Sequence, residues 1–152
     1  MPGFVRQMAS AAGRKAVVAE DGTVLERGGI VVAPGYGHMV VRQAGARHIT
    51  AIANHAVKSG CTPSDDPMFE SLAGAFDGQV AGVLLSGMGR DGTDGAHAIL
   101  RAGGTIFAQD AESSAVWGMP RAMAESGLAS AILPPQQLAD HIIAHAGPGA
   151  WR

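Results

Sequence analysis

One cysteine, one tyrosine and two lysines (Lys15 and Lys58) are all that 152 residues hold of these types. The lone thiol, Cys61, excludes an internal disulfide and fits a reducing, cytoplasmic setting. With so few lysines and a net charge near −2, there is no basic face for nucleic acid or for anionic lipid. No apolar run reaches the length of a membrane span, so no membrane insertion is expected. The opening MPGFVRQMASAAG lacks the long apolar core of a signal peptide. No tract of low complexity and no internal repeat divides the chain. What remains is an ordinary globular composition, 47% apolar and 16% charged, long enough for one domain over residues 1–152 with a substantial core.

The opening segment reads as an amphipathic helix ended at Gly13, with Phe4, Met8 and Ala11 as its apolar stripe. Short Val- and Ile-rich runs follow: AVVAE, GGIVVAPG, HMVVRQ and RHITAIAN, broken by Asp21-Gly22 and Gly45. Their closeness predicts an antiparallel meander or hairpins. Pro63-Ser64-Asp65-Asp66 marks a helix start, and Met68, Leu72 and Phe76 continue it at period four. From residue 80 strands and helices alternate. VAGVLLSG reads as a buried strand, Asp94 as the cap of a helix through Ala96, Ile99 and Leu100, and TIFAQD as the next strand. A short helix over 120–126, the strand ASAIL and a helix over 136–145 complete the pattern. Alternation at these lengths implies parallel strands. The fold class is therefore α/β, a doubly wound, mostly parallel sheet with an inserted antiparallel hairpin region.

The chemistry concentrates in LLSGMGRDGTDG, between the strand over 80–87 and its helix. Gly87, Gly89 and Gly92 spell G-x-G-x-x-G, and Asp110 ends the following strand, as in a dinucleotide-binding fingerprint. Charge opposes that reading. A pyrophosphate needs the helix N-terminal amides, and Asp91 and Asp94 would repel it there. The fingerprint also usually opens its domain, whereas about eighty residues precede it here. The other reading centres on Asp91. A carboxylate beyond the C-terminal end of a parallel strand can orient a histidine, and surrounding glycines leave amides free for an oxyanion.

SGMGRDG closely resembles the signature of the CheB-type protein-glutamate methylesterase catalytic domain, and VAPGYGHM, PSDDPMFESLA and AQDAESSAVWGMPRAM agree with it in order. The opening MPGFVRQMA is similar as well, so the resemblance covers essentially the whole chain. It implies a Ser-His-Asp acyl-enzyme mechanism that hydrolyses glutamyl methyl esters, and in many members deamidates glutamine, on methyl-accepting chemotaxis receptors. It implies no metal and no cofactor, and a receiver domain ahead of the catalytic one in many members. By motif match Asp91 is the triad acid, Met88 helps line the oxyanion site through its backbone, and Gly87, Gly89 and Gly92 shape the loop. The family's serine lies on a glycine-rich turn after its first strand, and its histidine in a Gln-His-Met stretch directly before a Pro-x-x-Phe segment. Met1-Pro2-Gly3-Phe4 takes up that stretch at its methionine, so both groups are expected to lie outside this chain, leaving it inactive by itself. Thr62 stands where relatives often place arginine, at a possible substrate contact.

No residue here replaces the pair. His38 reads as a turn or surface residue, Ser86 as backbone support, and Ser113 and Ser114 as turn-shaping. His97 is expected to face away from Asp91. His55 and Cys61 are separated by a loop that sets no geometry for a Cys-His pair. His141 and His145 are one helical turn apart, but with no third ligand in sight they read as a solvated face. The competing class is a non-catalytic module that docks on a receptor or regulator through the same face.

Overall fold

The computed structural model describes residues 1–147. Helix α1 (Pro2–Ala12) ends at Gly13 in the left-handed conformation, as expected. Its packed side is rotated from the predicted stripe. Val5 is buried with Met8 and Ala9 partly covered, while Phe4 is 52% exposed. Strands β1 (Ala16–Val18) and β2 (Ile30–Val32) pair in parallel, Ala16 opposite Ile30, where the sequence suggested an antiparallel arrangement. The reason lies in the intervening loop. It turns at Asp21-Gly22 and runs along the neighbouring hairpin, with Gly22 N–H donating to the Thr50 carbonyl and Leu25 N–H to that of His48. The chain therefore re-enters β2 in its original direction.

Strands β3 (His38–Ala44) and β4 (Arg47–Ala53) form the antiparallel hairpin, in full register from His38↔Ala53 to Ala44↔Arg47. Helix α2 (Asp65–Ala75) starts at Ser64, whose side chain accepts the Asp66 N–H. The helix uses two apolar faces. Phe69 and Ala73 enter the main core, while the predicted Met68, Leu72 and Phe76 lie along the groove shared with the hairpin.

The second half is a three-stranded parallel sheet in the order β5 (Ala81–Leu84), β6 (Thr105–Gln109), β7 (Ala131–Leu133). Side chains of a strand alternate between faces. Ile106 and Ala108 of β6 meet Phe69, Ile99 and Met123 from α2, α3 (Thr93–Arg101) and α4 (Met119–Glu125). Phe107 points the other way, where His141 and His145 of α5 (Pro135–Ala146) pack edge-on against its ring. Helices thus cover both faces of this sheet. Burial of Phe69, Ile99, Ile106 and Met123 contributes about 1.5–3 kcal/mol each. β5 is an edge strand, buried only at Gly82 and Leu84, so the predicted fully buried run is half open, with Leu85 50% exposed. Asp94 does not cap α3. The helix starts at Thr93, after Gly92 in the left-handed conformation, and Asp94 instead pairs with Lys58 at 3.4 Å on the surface. The architecture is α/β with parallel sheets and an antiparallel hairpin. The parallel strands fall into two sheets rather than one.

Candidate active site

Residues 85–92 leave the C-terminal edge of β5, where open α/β sheets place their ligands. A second loop, 110–118, holds them. The buried Gln109 accepts the Ser86 N–H at 2.7 Å through Oε1 and donates through Nε2 to Ser113. The Ser86 hydroxyl donates to the Val116 carbonyl and accepts the Val116 N–H at 3.0 Å. The Gly87 N–H donates to Val116, and the Gly87 carbonyl accepts from both Gly118 and Met119. The two loops touch so closely that a Cβ on Gly118 would lie 2.6 Å from the Gly87 carbonyl oxygen and 2.9 Å from the Gly89 nitrogen. Ser86 is thus the backbone support that was expected. Met88 stands out from this base at 86% exposure, and neither its amide nor that of Gly89 donates to a described residue.

Asp91, 5% exposed, closes the loop. Its Oδ1 accepts the hydroxyls of Ser64 at 2.6 Å and Ser59 at 2.7 Å, and its Oδ2 accepts the Asp65 N–H at 2.6 Å. Two of these donors come from the N-terminus of α2, where unpaired amides and the helix dipole favour an anion. Asp66, also at this terminus, accepts the Gly95 N–H at 2.8 Å and so ties α2 to α3. Crowding of acids has a cost. Burial, then the charges of Asp91 and Asp66, push the Asp65 carboxyl above its ordinary range. Burial also raises Asp66, with the Gly95 N–H opposing and Asp91 and Asp94 adding to the rise. An open cleft of about 390 Å³ lies over the site, edged by Lys58, Ser59, Cys61, Arg90 and Asp94.

One expectation about the histidines fails. His38 is neither a turn nor a surface residue. It is 1% exposed at the start of β3, with Nε2 2.9 Å from the His55 carbonyl oxygen and Nδ1 accepting the Ser64 N–H at 3.0 Å. A side chain that follows a glycine turn in sequence is carried inward here because α2 packs over that end of the hairpin. His97 is exposed on α3, as expected. Cys61 Sγ lies against the Ser59 carbonyl and the His55 ring beside that of His38, so no Cys-His pair forms. Ser114 donates to the Asp110 carbonyl and the Ser113 amide to the Asp110 carboxylate, which shapes the turn after β6. The Asp110 carboxylate is therefore engaged within its own turn, which weighs against the dinucleotide reading. Among the described residues no group of three metal-ligating side chains occurs, and no histidine touches Asp91. Sequence reasoning missed Ser59, the second role of Ser64, and Gln109. Only Ser64 carried a signal, as a helix cap.

The CheB methylesterase family model matches residues 2–142. A Caulobacter vibrioides protein named protein-glutamate methylesterase/protein-glutamine glutaminase 2 is 45% identical over 150 residues, covering 95% of this chain and 43% of that protein. An Anaeromyxobacter dehalogenans protein, numbered 3 under the same name, is 45% identical over 140 residues, covering 92% and 40%. The chain thus spans less than half the length of these relatives. Among solved structures, the Thermotoga maritima CheB methylesterase catalytic domain superposes with a TM-score of 0.89 at 27% identity, covering 94% of this chain and 76% of that one. No helix among the described residues is long and apolar enough to cross a membrane.

Proposed function

Because the chain belongs to the CheB methylesterase family, we propose that it forms the acid-bearing part of a single-domain site that hydrolyses glutamyl methyl esters on chemotaxis receptors. A serine hydroxyl attacks the ester carbonyl, methanol leaves, and water then releases the glutamate from the acyl-enzyme. A histidine takes the serine proton and returns it to methanol, then activates the water. Asp91 holds the imidazole and stabilises its charged form.

The observation that carries this reading is the Asp91 carboxylate, buried and fixed by three donors at the edge of the sheet. Its Oδ1 receives two hydroxyls, whereas Oδ2 receives one amide, which leaves a lone pair on Oδ2 for an imidazole N–H. The amides of Met88 and Gly89, in the loop that Gly87 and Gly92 shape, suit a developing oxyanion. Among the described residues no histidine touches Asp91, and the two serines that do are donors that orient it, so the chain by itself is expected to be without turnover. The exposed free thiol of Cys61 fits a cytoplasmic chain, and methyl-accepting chemotaxis receptors and a receiver domain are that chain's proposed partners.

The test is complementation. A segment carrying the family's glycine-rich serine turn and its Gln-His-Met stretch is joined ahead of Met1, and methanol release from methylated receptor is followed. Release by the fusion, its absence from the chain alone, and loss of at least about a thousandfold with Asp91→Ala are expected. A fusion that works equally well without Asp91, or a chain that turns over alone, refutes the assignment. Receptor binding by a folded fusion without turnover would favour the docking module instead.

A further inference from the structure

The buried histidine of the hairpin has no part in the chemistry just described, yet it meets Ser64, one of the two residues that link the start of α2 to Asp91. His55 offers His38 a carbonyl oxygen, which can only accept, so the proton sits on Nε2. Ser64 offers a backbone N–H, which can only donate, so Nδ1 is bare. The ring is therefore neutral and fixed in one tautomer, with both nitrogens satisfied at 1% exposure. Ser64 is fixed just as fully. Its N–H goes to His38, its hydroxyl proton to Asp91 Oδ1 at 2.6 Å, and its oxygen accepts the Asp66 N–H at 3.2 Å.

We propose that His38 is a positioning residue, which holds the start of α2 through Ser64 and so fixes the carboxylate of Asp91. Without its acceptor, the Ser64 N–H is buried and unpaired next to the hydroxyl that orients Asp91, and the serine must turn to relieve it. The effect passes to the Asp65 N–H as well, because both donors grip the same carboxylate. The catalytic meaning of this coupling rests on Asp91 being the triad acid; the coupling itself does not.

Nuclear magnetic resonance on the whole chain tests it. Histidine nitrogen shifts are expected to show Nε2 protonated and Nδ1 bare at His38. The Asp65 amide proton, bonded to a carboxylate at 2.6 Å, is expected far downfield and slow to exchange. His38→Leu should move that resonance upfield and speed its exchange about tenfold or more, the scale of one charge-assisted hydrogen bond. His38→Asn, whose Oδ1 can stand in for Nδ1, should restore most of the signature. Val41→Ala, a buried change in the same strand, should leave it in place. A proton on Nδ1, an unmoved Asp65 resonance in His38→Leu, or an equal loss in Val41→Ala overturns the proposal. If His38→Leu does not fold, the tautomer and the contrast between His38→Asn and Val41→Ala decide. In the complemented enzyme His38→Leu should lower kcat with KM little changed. An inactive fusion that still shows the coupling removes the esterase reading and leaves this one standing.

Discussion

Gly95, in the first turn of α3, lies tightly against α2, and an alanine there should loosen fold and site together. A Cβ at position 95 would lie 2.6 Å from Phe69 Cβ, 2.9 Å from the Asp66 carbonyl oxygen and 3.0 Å from Asp66 Cα. Two of these atoms are backbone and the third is a Cβ, so no rotamer change clears the space. Relief requires α3 to move away from α2. Overpacking of this kind costs about 3 kcal/mol, near the top of its usual range. Alanine returns about 1 kcal/mol through its better helix propensity. The net loss is about 2 kcal/mol, a fall in Tm of roughly 6 °C for a chain of this size.

The control is the same substitution on the neighbouring helix. Gly74 in α2 is exposed, and a Cβ there meets nothing within 4 Å. Gly74→Ala should therefore stabilise by about 0.5 kcal/mol. Thermal and urea unfolding followed by circular dichroism would measure both. Opposite signs are the expected result. Shifts in the same direction, or a neutral Gly95→Ala, would show that the helix contact is not tight and that Asp91 is not held by it.

Three further outcomes follow from the same contacts. Ser64→Ala removes a helix cap worth about 1 kcal/mol and a hydrogen bond to a buried carboxylate worth about 2, so urea unfolding should show a loss near 3 kcal/mol. Gly118→Ala pushes on Gly87, Met88 and Gly89 backbone atoms at 2.6–3.0 Å and should cost about 2 kcal/mol, while in the complemented enzyme it lowers kcat more than KM; an unchanged kcat would mean the second loop does not set the site. For Asp65 the folded-state pKa is raised, so its ionisation penalises the fold, and the penalty is absent below the unfolded value and grows as pH rises through the folded one. Asp65→Asn should thus gain stability over the parent with rising pH, with no gain at pH 3, measured as the difference in Tm across the range.

The parts of this architecture legible in sequence are those whose partners are local. The alternation from β5 to α5 is visible because each element carries its own periodicity and its own glycine or proline boundary. Ser64 announces α2 because a cap bonds two residues onward. Pairing of β1 with β2 is not legible in that way. It depends on the loop over 19–29 finding β4, and nothing in AVVAE or GGIVVAPG records that contact. The stripe of α1 is misjudged for a related reason. Phe4 has the periodicity of a core residue, but the helix packs against β1 and β2 with Val5 as its buried residue and leaves Phe4 exposed. His38 lies 26 residues from its amide partner, and Asp91 lies 27 from Ser64 and 32 from Ser59. Motif resemblance points to Asp91 but not to the groups that hold it.

Those groups explain why an ionised acid can be buried at this place. Taking a carboxylate out of water costs several kcal/mol unless hydrogen bonds replace the lost solvation. Three donors to Asp91, each worth about 1.5–3 kcal/mol as a charged bond, are enough to do so. Two of them exist because a helix begins at Ser64, and that helix is held against α3 by Asp66 and by the absence of a side chain at Gly95. The carboxylate is therefore oriented by the packing of α2 on α3 rather than by the glycine loop that precedes it. Burial first, and then mutual repulsion, raise the Asp65 and Asp66 carboxyls, and that rise is the cost of placing three acids at the junction. It follows that a substitution easing the junction, as Asp65→Asn does, separates stability from function. It can raise Tm while leaving the amide that holds Oδ2 in place, because that donor belongs to the backbone and survives any side chain at position 65 except proline.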